Sequence, residues 1–472
     1  MKIALIHPRI VAPLPGPLPA AVGDRSEIMP PLGLLYLAGY LRDRSSHDAA
    51  VIDALAEQLD DDKLAARLRL LSPAIVGITA MSHTLRDALA AVRTVKRTLP
   101  GVPVVMGGPH PTLFPRETLA LPGIDLIIAG EGELPLKLLL DALETGDALD
   151  TVPGLGRKSG GAMVLNETLW YADRLDDLPP PARELIPPEL YGSALSTHRP
   201  LTSMLTSRGC PYHCSFCDRP LLKGNRWRAH TAAAVVGEME RCAAQGFREV
   251  VVYDDTFTVD RQRVLDICAL KMTRLPDLPF TIRTRPDLVD GELLKALAAA
   301  RCTAVHYGVE SGSPRVLARL SKDADIGKAV AACAATRRLG MTTLAYFMIG
   351  SPGETRDDIA ETFRLIDRID PDYLHLTVLM PFPGTAVYRE MLDNGLLKED
   401  VWRSFAADPE RQFEPPLWEG TFSRDELLTL LRRGYRRFYG RPGYILRQLG
   451  HISSPRELFV KIQKGLRVLT MR

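Results

Sequence analysis

Three cysteines within eight residues constrain this chain more than any other feature of its sequence. Cys210, Cys214 and Cys217 lie together, whereas the other four of the seven cysteines are scattered singly. A disulfide would use two sulfurs and leave the third idle, so the grouping indicates a metal centre. Iron–sulfur clusters are held by Cys thiolates, usually four. Three protein ligands would leave one iron open to a small molecule.

Two other interpretations of these cysteines are open at this point. His213 could complete a Cys₃His tetrahedron around a structural zinc ion. Cys214 and Cys217 could instead form a redox pair. Spacing alone does not separate the three kinds of site, because all of them use CxxC-type patterns.

The composition predicts an ordinary globular protein of two or three domains. Its 472 residues are 46% hydrophobic and 25% charged, which is typical of soluble chains. A net charge of +2 does not suggest a nucleic-acid partner. No apolar run of about 18 residues is present, so no transmembrane helix is expected. The clustered, odd-numbered cysteines fit a reducing cytosol, and we predict a cytoplasmic protein.

Residues 1–145 are predicted to form an α/β domain with a doubly wound parallel sheet. Short apolar runs alternate there with helical patterns, and ligands bind such sheets at the carboxyl ends of the strands. The loops expected at those ends are small and turn-rich, which permits close approach to a ligand; tight turns without a ligand are the plainer alternative. These loops contain Thr79, Met81, Gly107, Gly108, His110 and Glu131.

Residues 146–199 are predicted to be a linker, and residues 200–400 a second α/β domain. The linker contains the Pro-rich run 178–182, which is a stiff connector. Six apolar strand patterns alternate with helices in the second domain, which predicts a partial (β/α)₆ barrel with one open side. The cysteine loop follows the first of these strands. It therefore lies at the carboxyl ends of the strands, where βα barrels carry their chemistry.

The other strand ends of the second domain are polar or glycine-rich. Asp254 and Asp255 end the second strand, although an aspartate that caps a helix is the simpler alternative for one of them. The remaining candidates at strand ends are Arg283, Glu310, Ser311, Gly350 and Met380.

The cysteine spacing, with Phe216 just before the last cysteine, resembles the radical S-adenosylmethionine (SAM) family. This resemblance implies a 4Fe–4S cluster whose open iron chelates SAM, and reductive cleavage that yields a 5′-deoxyadenosyl radical. It also implies roles for the strand ends. Asp254 and Asp255 would meet the SAM ammonium, Arg283 the SAM carboxylate or a substrate anion, Glu310 the ribose, Ser311 the aminoacyl group, and Gly350 and Met380 the adenine.

The first domain is similar to the cobalamin-binding domain of B12-dependent radical SAM proteins. Thr79-x-Met81 resembles that domain's Ser-x-Leu element, and Gly107-Gly108 its Gly-Gly element. His110 and Glu131 are further candidate cobalamin contacts. The Asp-x-His-x-x-Gly motif, whose His ligates cobalt from below, is absent; His7 stands after the first strand instead. Cobalt is therefore expected to lack a histidine lower ligand; a vestigial domain that binds no cobalamin is the alternative.

Up to about residue 385 the chain resembles the branch that contains the anaerobic magnesium-protoporphyrin monomethyl ester cyclase and hopanoid-modifying enzymes. The resemblance implies methylation of an unactivated carbon in a small, hydrophobic substrate, with an electron donor such as flavodoxin or ferredoxin. Radical rearrangement, cyclisation or oxidation of a tetrapyrrole or lipid is the first alternative. A cobalamin-binding sensor or carrier with a structural cluster, and a zinc-bound interaction module, are alternatives of other classes.

Residues 401–472 are predicted to be a helical, basic segment. From residue 424 onward it contains twelve Lys or Arg and three Asp or Glu. A helix that packs on the barrel with a solvated basic face explains this pattern. A peripheral contact with a membrane surface is the sharper hypothesis.

Overall fold

The computed structural model describes residues 1–11, 13–14, 28–193, 196, 198–218 and 226–450, with side chains up to residue 447. Within this part of the chain, two sheets of parallel strands each carry a buried apolar core.

Five parallel strands form the first sheet in the order β2-β1-β3-β4-β5. The chain moves from β1 to β2 on one side and then crosses to β3 on the other, so the loops after β1 and β3 diverge. Ligands of parallel sheets bind at such a switch point. The strands are β1 (Lys2–His7), β2 (Asp48–Asp53), β3 (Ile75–Thr79), β4 (Val104–Gly107) and β5 (Leu126–Ile128).

Helices cover both faces of the first sheet because its strands are apolar on both sides. Ile3 and Leu5 of β1 belong to one apolar cluster, and Ala4 and Ile6 belong to another. Successive side chains of a strand point to opposite faces, so the predicted doubly wound sheet is confirmed. The helices of this domain are Leu32–Arg44, Asp61–Leu71, Leu85–Thr98, Pro109–Leu113, Pro115–Ala120 and Glu133–Thr145.

An antiparallel hairpin extends the first sheet beyond residue 145. Strand β6 (Leu155–Ser159) pairs with β5, and β7 (Ala162–Leu165) pairs with β6. This hairpin covers the edge that β5 would otherwise expose. The predicted linker therefore contributes its first part to the sheet.

The rest of the linker packs against both domains. The Ala182 N–H donates to Leu35 O of the first domain at 2.9 Å. The Arg183 side chain is 2% exposed and donates to Ser203 O and to Glu238 of the second domain, both at 2.7 Å. A buried ion pair is tolerated only in a well-defined geometry, so these contacts fix the linker between the domains.

Six parallel strands form the second sheet in the order in which they occur in the chain. A short antiparallel pair, β9 (Ser207–Arg208) with β10 (Arg228–Ala229), stands beside it. The sheet is open at β8 and β15, and this arrangement confirms the predicted partial barrel. The strands are β8 (Leu201–Met204), β11 (Glu249–Val252), β12 (Phe280–Thr284), β13 (Cys302–Glu310), β14 (Thr342–Ile349) and β15 (Tyr373–Val378).

Helices on the outer face of this sheet enclose its apolar core. Val305, Tyr307 and Val309 of β13 are buried there, whereas the residues between them face the inner side. The helices of the second domain are Ala232–Ala244, Arg261–Arg274, Gly291–Ala299, Pro314–Arg319, Ile326–Arg338, Arg356–Ile369 and Ala386–Asp393.

The helix Arg424–Tyr439 covers the open edge of β15 with two tyrosine hydroxyls. The Tyr435 hydroxyl donates to Leu376 O at 2.7 Å and accepts from Leu376 N–H at 3.0 Å. Tyr439 makes the same pair of bonds with Leu374, at 3.0 and 3.1 Å. Residues four apart on a helix face thus meet residues two apart on a strand. The edge backbone groups gain partners that no further strand supplies.

The helix Val401–Ala407 packs between the first domain and the turn after β15, where Trp402 Nε1 donates to Pro381 O at 3.0 Å. Trp402 and Phe405 are fully buried in the same cluster as Phe114 of the first domain. Arg86 of the first domain donates to Pro409 O at 2.7 Å. The two domains therefore meet along a second, apolar contact.

None of the described helices is both long and apolar enough to cross a membrane. Part of the predicted membrane contact falls on residues 451–472, outside the described residues, and that contact stays a prediction. The last described helix is Pro442–Gly450.

Candidate active site

The cysteine loop begins directly after β9, at the carboxyl end of β8. Cys210, Cys214 and Cys217 are partly exposed and free of disulfides. The Cys217 N–H donates to Cys214 O at 3.1 Å, and Cys210 Sγ lies 3.7 Å from Thr256 Oγ1. The four other cysteines are buried in the second domain, so they do not compete with these three for a solvent-accessible ligand.

Asp254 holds the start of this loop. Its carboxylate is buried and accepts four hydrogen bonds of 2.6–3.1 Å, from the N–H and hydroxyl groups of Thr206 and Ser207. Burial raises the pKa of Asp254, and the hydrogen bonds from Ser207 and Thr206 oppose that rise. The sequence predicted a SAM contact here, but this carboxylate already has a positioning role. Asp255, the next residue, is partly exposed.

Arg285 supports the middle of the loop and was not singled out from the sequence. Its guanidinium carbon lies 4.2 Å from the ring centroid of Tyr212, between the first two cysteines. It forms a two-point pair with Asp287 at 2.9 and 3.0 Å and donates to Asp323 O at 2.6 Å. A planar guanidinium can stack on a ring while its edge donates hydrogen bonds. The one sequence feature that could have indicated this role is the position of Arg285 at the end of β12.

Glu310 and Lys322 form a partly buried ion pair beside the cysteines. Glu310 has a left-handed backbone, with φ 71°, and its Oε1 lies 2.6 Å from Lys322 Nζ. Lys322 also donates to Gly308 O at 3.0 Å. Burial raises the pKa of Cys214, while Lys322 and Arg285 act to lower it. These two cations therefore favour the thiolate form that a metal centre requires.

Three other predicted SAM contacts lie in the turns after β13, β14 and β15. Ser311 is fully buried and lies 3.2 Å from Thr362 Oγ1, so its hydroxyl holds the turn. Gly350 has φ 80°, and a Cβ there would lie 3.1 Å from the Leu427 side chain. Met380 packs between the barrel core and the first-domain core. The site roles assigned to these residues stay predictions.

Glu354 is buried in the turn after β14. It is not among the site residues predicted from the sequence. Its carboxylate accepts from the N–H groups of Gly350 and Ser351. Burial raises the pKa of Glu354 to about 7, against the two backbone hydrogen bonds. The carboxylate thereby fixes the backbone at the end of β14.

The glycine pair at the end of β4 lets the turns after β3 and β4 approach closely at the ligand edge of the first sheet. Gly108 has φ 103°, and a Cβ there would lie 2.9 Å from both Ala80 O and Thr79 Oγ1. Met81, on the neighbouring loop, is 49% exposed. Together with Gly107, these residues lie in the turns after β3 and β4, which we call the cradle.

His110 does not face this cradle as an exposed ligand. It is fully buried, with Nδ1 3.0 Å from Ser82 Oγ, and burial lowers its pKa to about 3. It is therefore neutral at pH 7. His7, at the end of β1, places Nδ1 2.9 Å from Asp53.

Glu131 links the two domains through its carboxylate. It pairs with Arg228 at 2.7 and 3.0 Å and lies 3.3 Å from Arg208. Arg208 also pairs with Glu133 at 2.6 Å. Burial acts to raise the pKa of Glu131, but the hydrogen bond from Arg228 and the charge of Arg208 outweigh it and lower the pKa. The side chain predicted to contact cobalamin thus serves the domain interface.

This ion network brings the two ligand edges together. Arg208 stands two residues before Cys210, and Glu131 and Glu133 follow β5 of the first sheet. The cysteine loop and the carboxyl edge of the first sheet at β5 therefore lie at one interface. No three His, Cys, Asp or Glu side chains among the described residues converge closely enough to hold a single metal ion.

Comparisons with known proteins agree with both halves of this site. Residues 204–366 match the model of the radical SAM superfamily, and residues 19–140 match the model of the B12 binding domain. An uncharacterised methyltransferase of Pyrococcus horikoshii is 33% identical over 451 residues, which cover 95% of each chain. The anaerobic magnesium-protoporphyrin IX monomethyl ester cyclase of Cereibacter sphaeroides is 28% identical, over 93% of this chain and 70% of that protein.

A solved structure shows the same fold over nearly the whole chain. The cobalamin-dependent SAM radical enzyme OxsB, with aqua-cobalamin and SAM bound, superposes with a TM-score of 0.75 at 16% identity, covering 99% of this chain and 71% of that one. The resemblance inferred from the cysteine motif and the Gly-Gly element is confirmed, as are the cofactors that it implied. The chain therefore belongs to the B12-binding radical SAM family of enzymes, whose cofactors are a 4Fe–4S cluster, SAM and cobalamin.

Proposed function

We propose that this protein is a cobalamin-dependent radical SAM methyltransferase that methylates an unactivated carbon of a small molecule. The observation that carries the proposal is the buried network of Arg208, Arg228, Glu131 and Glu133. It ties the residues just before the cysteine loop to the loop after β5. A methyl group carried on the first domain would therefore have a short path to a substrate bound at the barrel.

The cofactors and the residues of this chain have separate tasks in the reaction. When bound, the cluster supplies the electron that splits SAM, and cobalamin carries the methyl group. Cys210, Cys214 and Cys217 hold the cluster, while Lys322 and Arg285 keep cationic charge beside the thiolates. Glu310 is proposed to bind the SAM ribose, from the position that its pair with Lys322 fixes.

The domain contacts also keep water away from the reacting centre. The buried ion network joins the domains at one contact, and Trp402 and Phe405 join them at a second, apolar one. Radical intermediates must be protected from stray hydrogen donors, and a closed site provides that protection. We propose a small electron carrier such as flavodoxin or ferredoxin as the reductant, in a cytoplasmic setting.

The test is anaerobic purification with hydroxocobalamin, followed by incubation with SAM and dithionite. About four iron atoms and one cobalt per chain, with 5′-deoxyadenosine formed, are expected. Iron and 5′-deoxyadenosine without cobalt would overturn cobalamin-dependent methyl transfer. With substrate present, S-adenosylhomocysteine must accumulate together with methylated product.

The proposed SAM contact of Glu310 can be tested separately. Glu310→Ala is expected to weaken SAM binding by about tenfold, the effect of losing one charge-assisted hydrogen bond, with iron content near normal. Glu390→Ala removes a carboxylate that pairs with Arg319 on the surface and is the matched control. Equal SAM affinity in both variants would remove Glu310 from the SAM site.

A second candidate is a radical cyclisation, rearrangement or oxidation of a tetrapyrrole or lipid. The similarity to the anaerobic cyclase favours it. Product analysis separates the two candidates, because this reaction would yield 5′-deoxyadenosine and altered substrate without S-adenosylhomocysteine.

A further inference from the structure

The inner face of the barrel sheet is lined by a row of polar and aromatic side chains. Arg283 of β12 is in register with His306 of β13, and Tyr346 of β14 with His375 of β15. The outer face of the same strands is fully buried, yet Arg283, Tyr346 and His375 are partly exposed. Partial exposure in the middle of a sheet shows that the inner face borders open space. We call these four residues and Tyr253 the inner wall.

Arg283 is a cation of this wall that has no carboxylate partner among the described residues. Its guanidinium carbon lies 3.9 Å from the ring centroid of Tyr253, and its Nε is buried without a hydrogen-bond partner. The well-buried Arg183 and Arg208, in contrast, lie 2.7 and 2.6 Å from glutamate oxygens. Leaving a buried donor such as this Nε without a partner is costly, so the position of Arg283 favours an anion from outside the chain.

The rest of the wall offers hydrogen bonds and ring faces without adding charge. His306 Nδ1 lies 3.3 Å from the Tyr346 hydroxyl, and the Tyr346 ring meets His375 edge-on at 5.2 Å. Burial lowers the pKa of His306 to about 3, and Arg283 acts in the same direction. Burial also lowers the pKa of His375, helped by Arg283 and opposed by Glu310. Both imidazoles are neutral at pH 7, which leaves the positive charge of Arg283 without competition from them.

We propose that the inner wall binds the substrate through an anionic group, a carboxylate or a phosphate, which pairs with Arg283 while a planar part of the substrate packs against Tyr253 and Tyr346. The proposal deepens the proposed function and rests on it. It names the substrate class as an anionic molecule with a planar apolar part and excludes an uncharged hydrocarbon. A guanidinium stacked on a ring suits planar, two-point recognition of such oxygens.

The test measures binding to the anaerobic holoprotein by titration calorimetry, without turnover. The probes are 2-naphthoate, 2-naphthyl phosphate and the uncharged 2-naphthalenemethanol. At least one anion should bind about tenfold or more tightly than the alcohol, which corresponds to one charged contact. The tighter of the two anions identifies carboxylate or phosphate as the recognised group. Equal binding of all three probes would overturn the proposal.

Variants assign the effect to Arg283. Arg283→Gln should reduce the anion affinity to that of the alcohol. Arg283→Lys should retain part of the anion affinity, because the positive charge remains but the two-point hydrogen bonding of the guanidinium is lost. Arg356→Gln is the matched control. Arg356 also lies over an aromatic ring, 5.3 Å from the centroid of Phe422, but it is exposed and paired with Glu426. An equal loss in the control, or unchanged anion affinity in folded Arg283→Lys and Arg283→Gln proteins, would contradict the assignment.

Competition with SAM separates the two anions that could meet Arg283. Excess SAM should leave the bound naphthoate or naphthyl phosphate in place. Displacement by SAM would assign Arg283 to the SAM carboxylate and overturn the substrate proposal. A protein that binds the anions but forms no 5′-deoxyadenosine would contradict the proposed function alone.

Discussion

The carboxyl edges of the two sheets face one interface but contribute to it in different ways. The barrel edge supplies chemical groups: three thiolates, the Glu310–Lys322 pair and the Arg285 guanidinium. The edge of the first sheet supplies closely packed turns, because Gly108 adopts φ 103° and a Cβ there would lie 2.9 Å from Ala80 O and Thr79 Oγ1. His110, at this edge, is buried and neutral and is therefore not accessible as a ligand.

This difference follows from what each edge has to hold. Iron requires particular ligand atoms, so the barrel edge is recognisable from a short cysteine motif. A large flat cofactor requires a surface of the right shape, which small residues provide without a chemical signature. The function of the barrel can therefore be predicted from its sequence more easily than that of the first domain, although both domains contribute to one site.

The largest effect should come from removing a ligand at the barrel edge. Cys214→Ala is expected to lose the cluster and all SAM cleavage, measured as iron content and 5′-deoxyadenosine. Cys333→Ala is the control, because this thiol is buried in the barrel core and should keep both. Full iron content in the Cys214→Ala protein would show that the ligand assignment is wrong.

The next effect tests the connection between the two edges. Arg208→Met leaves Glu131 and Glu133 with one buried cation fewer, and removing one partner of a buried pair costs about 3–5 kcal/mol. Denaturant unfolding measures this loss. Arg226→Met removes an exposed pair with Asp173 and should cost less than about 1 kcal/mol. Similar losses in both proteins would mean that the network does not hold the domains together.

A smaller effect is expected where the first edge depends on shape. Gly108→Ala should lower the unfolding free energy by about 1–3 kcal/mol through backbone strain and also weaken cobalamin binding, read from the visible spectrum. Gly146→Ala imposes a similar strain, at φ 81°, with nothing within 4 Å of the new Cβ. It should keep cobalamin affinity. If both variants bind cobalamin equally well, the close approach at Gly108 has no role in the cradle.

The smallest effect concerns how each sheet closes its edge. The first sheet uses the β6–β7 hairpin, whereas β15 depends on tyrosine hydroxyls. Tyr439→Phe should cost about 0.5–1.5 kcal/mol, since a strand N–H and C=O of Leu374 lose their partner. Tyr36→Phe is the control, because the Tyr36 hydroxyl is buried without a partner and its removal should not destabilise the protein. A Tyr439→Phe protein as stable as wild type would show that water replaces the hydroxyl.

Much of the architecture could be predicted because it depends on local pattern. Apolar runs separated by helical periodicity indicate parallel sheets, and both predicted sheets are present. Individual site residues were harder to assign. Asp254 and Ser311 stand at strand ends in the right motifs, yet their side chains hold turns. Whether a polar group faces a ligand or its own backbone depends on partners distant in sequence, such as Thr362.

The sequence by itself determined the cofactor family and the two-domain order, because three cysteines at fixed spacing and the strand–helix alternation are local properties of the chain. Only the tertiary structure decided that Glu131 joins the domains, that Arg285 supports the cysteine loop and that Arg283 has no counter-ion among the described residues. Each of these outcomes depends on which charge lies a few ångströms away. The packing of separate helices and strands determines which charged groups are neighbours, and the spacing of residues along the chain does not.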